Sequence, residues 1–451
     1  MKKLIVLLLA AALMFTVFAG CGGNTASSGG ATPPSKAPDK IPANDSPATA
    51  LDPNNPVTIT FYSYSLSYPT MRPGMEHLIN NFNETTGKEK GVFVKAIEDD
   101  TMGKYQTDIA AGEQVNVIQH AFSVLDMSKE NLGLQAYEDI FPSGELSEHI
   151  SHMYENAVEL GKIDGKTYAL AFTFSTPILY INGALFEAAG LDPNEPPETW
   201  DEVAAYAKRI YESTGKPGFA LSPQNGWTTE GLFFSNGANI LNSDRTEAMF
   251  ASPEGIEAME MWQELYHSGA HALGSDSEVS EQFMSGNAGM LIQSTSMLSG
   301  IKAGAEAGGW KLYGAEMPAF GDKPAVPVNS GSALAVRSSS ELENLAIWEF
   351  IKYVTGPEGY TIITSEIGYL PLNKDIVSDP QYLKPFVDEN PIIATNLRQL
   401  ERLRPVTIWP AENALELRQI FADAITKAIT TGNDAGEVLT EAQEQMNALL
   451  K

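Results

Sequence analysis

Cysteine is all but missing: one residue in 451, Cys21. No internal disulfide can form, and the body of the chain holds no thiolate for catalysis or metal binding. Positive charge is also scarce. Twenty-nine Lys and Arg stand against 57 Asp and Glu, a formal net charge of −28. Gripping phosphates takes Lys and Arg, so the balance argues against nucleic acid. It argues equally against passive adhesion to an anionic membrane surface. Beyond the first twenty residues no apolar run nears the ~20 residues that a membrane span needs. Also absent are a Gly-x-Gly-x-x-Gly turn, a phosphate-cradling Gly-Lys-Ser/Thr loop and a Gly-x-Ser-x-Gly elbow. There are six histidines. His149 and His152 are three apart and His267 and His271 four apart, but no third ligand accompanies either pair. We read them as solvated helix-end residues. Carboxylates are plentiful, yet no spacing singles out a glycosidase pair. The pattern therefore implies no catalytic set, no cofactor and no metal.

What is present begins with an address. Lys2 and Lys3 precede the apolar run Leu4 to Ala19, and small residues follow, which marks a secretory leader over 1–20. Phe18-Ala19-Gly20-Cys21 resembles the bacterial lipobox, with Phe18 where leucine is usual. The resemblance implies a diacylglyceryl group on Cys21 and a chain tethered to the membrane only through that lipid. Residues 21–55 are Gly, Ser, Thr, Ala, Pro and Asn with almost no large apolar side chain. Such a stretch cannot offset its ordering entropy by burial and reads as a flexible linker.

From residue 56 onward strand-like and helix-like segments alternate, the signature of an α/β chain with open sheets covered by helices. Val57, Ile59 and Phe61 alternate with polar residues; Val115 to Ile118 is a second strand signal. Met75, Leu78, Ile79 and Phe82 have helix spacing. Thr199 with Glu202 and Ser340 with Glu343 have the spacing of capping boxes, and Ser252-Pro253 places a cap before a first-turn proline. Two closing helices are expected over about 412–431 and 434–450.

One stretch is more specific. Asp164-Gly165-Lys166-Thr167-Tyr168 runs on through Thr176-Pro177-Ile178-Leu179-Tyr180-Ile181-Asn182. Leu185-Phe186-Glu187-Ala188-Ala189-Gly190-Leu191-Asp192 and Pro196-Pro197-Glu198-Thr199-Trp200 follow. With Phe283 to Met290, Asn329 to Val336 and Gly368 to Leu372 in the same order, this resembles the family 1 extracellular solute-binding proteins of ATP-binding-cassette importers. The resemblance spans nearly all of 56–451. It implies a two-lobed, periplasmic-binding-protein-like fold of the class II type with a ligand cleft between lobes. Lobe one would take 56–173 and 331–370, lobe two 177–325 and 375–451. It further implies a monomer on the outer face of the cell membrane (the periplasmic side in a Gram-negative cell). There it would serve a membrane permease and bind a sugar or, in one branch, glycerol-3-phosphate. That branch uses an arginine before the last long helices; here the matching stretch reads Trp409-Pro410, and Arg404 is the nearest arginine.

A sugar site needs aromatic faces and fixed polar groups at strand ends and crossovers. The candidates are Tyr62 and Tyr64 at the end of the first strand; His120 and Ser123 after Val115–Ile118; and Phe174 and Ser175 at the first crossover. To these are added Trp227 in an expected polar loop, Ser294 after Met290-Leu291-Ile292, Gly331 and Tyr369 at the other crossovers, and Trp409.

Overall fold

The computed structural model describes residues 50–99, 103–410 and 412–451. The leader, Cys21 and nearly all of the linker lie outside the described residues.

Among the described residues twelve strands run in chain order: β1 (Val57–Ser63), β2 (Val92–Glu98), β3 (Val117–Ala121), β4 (Lys162–Ile163), β5 (Lys166–Thr167), β6 (Ala169–Ser175), β7 (Pro177–Asn182), β8 (Phe219–Ala220), β9 (His271–Ala272), β10 (Met290–Ser294), β11 (Leu312–Ala315) and β12 (Ser330–Val336). They form two five-stranded sheets, β2-β1-β3-β12-β6 and β11-β7-β10-β8-β9, and the small hairpin β4-β5. In the first sheet β1 lies parallel to β2 and β3, while β12 is antiparallel to both β3 and β6. The molecule is thus two α/β lobes, each with its own sheet.

Strand β2 alternates buried Val92 and Val94 with exposed Phe93 and Lys95, as one face meets helices and the other solvent. Strand β6 is buried along its whole length although it closes the sheet's edge. Tyr360 covers that edge and donates its O–H to the Ala171 carbonyl at 2.8 Å. The Thr199 capping box forms in full and Ser252 caps its helix. At Ser340 only half of the expected box forms. Its Oγ accepts from the Glu343 N–H, but the Glu343 carboxylate bonds the Ser339 N–H instead. The closing helices run Ala414–Thr430 and Ala435–Leu449.

Only Thr176 separates β6 from β7, so one buried residue joins the two sheets. Gln399 pins this junction. Its Nε2 donates to the Pro177 carbonyl at 3.1 Å, and its Oε1 accepts from the Met317 N–H at 2.7 Å. The chain returns from β11 to β12 through residues 316–329. After Gly368 the chain follows a stretch that touches both lobes: the Leu370 and Lys374 N–H groups bond the Phe174 and His152 carbonyls, whereas Gln399 bonds Pro177.

Two histidines are not the solvated residues expected. His271 is buried on β9, where Nε2 accepts the Trp262 indole N–H at 3.1 Å and Nδ1 faces the Ala272 carbonyl at 2.6 Å. Burial lowers it to about 4, so it stays neutral. His149 is likewise held down to about 4 by burial and bonds Thr355 Oγ1. His271 serves the core, its two ring nitrogens meeting two buried polar neighbours at once, while half-buried His149 meets one.

Candidate functional site

A cavity of about 560 Å³ opens where the two lobes meet. Its walls come from loops just beyond strand ends: Ala121 to Val124 after β3, Ser294 to Met297 after β10, and Asn329 to Gly331 entering β12. Ligands of open α/β sheets bind outside the carboxyl ends of strands for the same reason: successive loops converge there. The far wall is made by Gln224 to Trp227, by Val406 to Trp409, and by the first turns of the Ala414–Thr430 helix.

Five of the residues singled out from sequence line this cavity: Ser123, Trp227, Ser294, Gly331 and Trp409. Trp227 is half-buried. It stands not in a loop but in the first turn of a helix, Gly226–Asn236. That helix is buried on every side from Thr228 on, so it has no polar face and no helical periodicity to read. Trp409 is buried and its ring tilts against Phe421 at 5.8 Å. Gly331 has φ +114°, and an added Cβ would land on the Thr173 carbonyl oxygen. Only glycine lets β12 bulge past β6 here.

The other six face elsewhere. Strand β3 extends to Ala121, so His120 lies inside it rather than after it; Nε2 meets Ser128 Oγ at 2.9 Å and Nδ1 the Ala121 carbonyl. Tyr62 sits within β1, buried, and donates its O–H to Asp108 Oδ2 at 2.8 Å. The Tyr64 hydroxyl lies 3.3 Å from Thr173 Oγ1. Phe174 is in the core, and its carbonyl accepts the Leu370 N–H at 2.7 Å. Ser175 accepts from Ser294 Oγ at 2.9 Å, a bond that ties the two sheets together at the back of the site. Tyr369 is buried against Met71.

The polar chemistry of the cavity comes largely from residues that sequence reasoning did not select. Asp276 accepts from Asn225 Nδ2 at 2.9 Å and from Gln293 Nε2 at 3.1 Å. Asn329 Oδ1 accepts the Val406 N–H at 2.9 Å. Asn225 Oδ1 and Asn329 Nδ2 are buried without a partner among the described residues, leaving one acceptor and one donor uncommitted at the cavity wall. Glu230 is 4% exposed, and burial raises it to about 7 against the pull of Thr407, Arg418 and Arg404. Nothing local marks it: in sequence it is one carboxylate among many, followed by Gly231-Leu232-Phe233-Phe234. Arg418 lines the cavity from the helix. Arg404 does not: its guanidinium lies 3.9 Å over the Phe234 ring and donates to Asn239 Oδ1 at 3.1 Å.

The architecture and this cleft have counterparts. A family model described as bacterial extracellular solute-binding protein matches residues 77–395. The chain belongs to that family. It is a solute-binding protein and not an enzyme. The sn-glycerol-3-phosphate-binding periplasmic protein UgpB of Escherichia coli K12 is 27% identical over 303 residues, 64% of this chain and 68% of that protein. Among solved structures, the cyclic alpha-maltosyl-1,6-maltose binding protein of Arthrobacter globiformis superposes with TM-score 0.76 at 23% identity, covering 88% of this chain and all of that one. UgpB of Mycobacterium tuberculosis, in complex with glycerophosphocholine, gives TM-score 0.74 at 22% identity over 87% of this chain and 98% of that one. At these identities the superpositions establish the shared two-lobed fold.

Among the described residues no helix is long and apolar enough to cross a membrane, and no group of His, Cys, Asp and Glu could hold a metal ion.

Proposed function

We propose that this solute-binding protein captures a neutral di- or oligosaccharide between its lobes and hands it to the permease of an ATP-driven importer. The observation that carries the reading is the make-up of the cleft. Trp227 offers a half-buried indole face beside Asn225, Asp276 and Gln293, and Trp409 lines the same wall. Pyranose rings present C–H faces to aromatic rings and hydroxyls to amides and carboxylates. The 560 Å³ falls within the range of small-molecule sites, roughly 300–1,000 Å³. Hinge closure would pivot at Thr176 and the two other crossings, with lobes of 56–173 plus 331–370 and 177–325 plus 375–451. Tethered through Cys21, the protein would work as a monomer on the outer face of the membrane.

A second reading is a glycerol-phosphate ligand. The UgpB relatives favour it, and Arg418 supplies one cation at the cleft. Two carboxylates, Glu230 and Asp276, oppose that single arginine, and an anion wants charge-assisted donors. The net charge of −28 adds long-range repulsion. We therefore favour the neutral sugar.

A thermal-shift panel of mono-, di- and oligosaccharides with sn-glycerol-3-phosphate tests the choice. We expect one or more saccharides to raise the melting temperature and to be recovered unchanged by chromatography. Stabilisation by glycerol-3-phosphate alone would overturn the sugar reading. The lipid anchor has its own test. Cys21→Ala should move the protein from the membrane fraction to the medium or periplasm without loss of fold; retention in the membrane fraction would sink it.

A further inference from the structure

We propose that Glu230 is the residue by which the cleft selects its solute: it takes a hydroxyl donor at the back of the site and rejects an anion. The inference rests on the cleft being the solute site and adds to it the group that reads ligand charge.

The geometry is specific. Glu230 lies one helical turn after Trp227, so both side chains reach the same cavity from one helix face. The carboxylate is almost wholly buried. Among the described residues, one hydrogen bond to it meets ordinary criteria: the Thr407 N–H onto Oε2 at 2.7 Å. Oε1 is left for whatever enters the cavity. A ligand hydroxyl that reaches Oε1 adds a charge-assisted hydrogen bond to the carboxylate.

The charged groups around it do not take over that role. Arg404, on the 404–409 segment, is committed to Phe234 and Asn239. Arg418, on the Ala414–Thr430 helix, is exposed and acts on Glu230 through space only. Asp276, the cavity's other carboxylate, is held by Asn225 and Gln293. The wall segments 121–124, 294–297 and 329–331 bring no ionisable side chain. Burial puts the Glu230 equilibrium at about 7, so in the empty protein it is poised between acid and carboxylate.

The two kinds of solute then pull the proton in opposite directions. A hydroxyl that donates to Oε1 favours the carboxylate. Capture of a neutral sugar releases a proton below pH 7, and affinity rises with pH, by up to about tenfold per unit, levelling above 7. A phosphate at the same place demands the acid form. Its affinity would fall with pH above 7 at the same limiting slope.

Two measurements on the full-length purified protein decide the matter. The first needs no ligand. With 13C-labelled glutamate, the carboxyl resonance that vanishes in Glu230→Gln should titrate above pH 6. Titration in the ordinary range near 4.5 overturns the inference. The second is calorimetry with the saccharide that gives the largest shift in the panel, and with sn-glycerol-3-phosphate, from pH 5 to 8.5. We expect the saccharide to bind several-fold tighter at pH 8 than at pH 6, approaching but not exceeding about tenfold, and Glu230→Gln to abolish that slope. A saccharide that binds with no pH dependence overturns the role of Glu230 and leaves sugar transport standing. sn-Glycerol-3-phosphate binding tightly at pH 8 while saccharides fail overturns both.

Discussion

Arg245 Nη1 donates to Asp126 Oδ2 at 2.9 Å, and the bond joins the two lobes beside the cleft. Asp126 follows the cavity wall 121–124, on the helix Leu125–Asn131. Arg245 belongs to a turn of the other lobe and has φ +58°, a left-handed conformation that is uncommon for arginine. The turn itself holds it there, with the Arg245 N–H on the Asn242 carbonyl and the Asn242 N–H on the Glu247 carbonyl. The pair is partly exposed, 40% and 33%, so its own contribution is modest, about 0–1 kcal/mol.

If the pair steadies the closed form, Asp126→Asn should weaken solute binding by about two- to fivefold at low salt. The effect should shrink as salt rises, because a partly exposed pair is weakened by screening. The unliganded melting temperature should barely move. Calorimetry at two salt concentrations checks this; an equal loss at both would mean that Asp126 acts through packing.

The two cavity tryptophans should behave differently. Trp227 is half-buried at the wall, so Trp227→Ala should cost tenfold or more in affinity with little change in unliganded stability. Trp409 is buried against Phe421, and Trp409→Ala should cost about 3–5 kcal/mol of stability as a core truncation. Urea denaturation of both variants, with binding measured on whatever folds, separates the roles. A large stability loss in Trp227→Ala would remove it from the list of ligand platforms.

The sequence carried the architecture well because strands, caps and crossovers are local signals. Thr199 and Ser252 cap as their spacing predicts, and the closing helices fall within two residues of expectation. The cavity was half legible. Ser123, Ser294 and Gly331 sit just past strand ends or at a crossover, which local pattern can find. His120 was misplaced because β3 runs three residues further than its apolar signal; a strand near the sheet centre can bury polar residues too. Glu230 and the helix that carries it were not legible at all. A helix buried on every side loses its amphipathic pattern, and no local feature says that a glutamate within it faces a cavity 177 positions away from its partner Thr407.

Glu230 also leaves a mark on stability that can be read without any ligand. In the unfolded chain the carboxyl titrates near 4.5; folded, burial raises it to about 7. Between those values the native state holds a proton that the unfolded state has lost. Stability therefore falls as pH rises from 4.5 to 7: the contribution is complete below 4.5 and gone above about 7. At ~1.4 kcal/mol per pH unit the span amounts to about 3 kcal/mol. Glu230→Gln keeps the shape and the Thr407 bond but has nothing to titrate. The stability of Glu230→Gln relative to the parent should rise by about 3 kcal/mol between pH 4.5 and 8, with the midpoint of the change below 7. Urea denaturation at five pH values measures it directly. A difference that stays constant across that range would show that the carboxyl titrates as an exposed one does, and that the folded chain keeps it solvated.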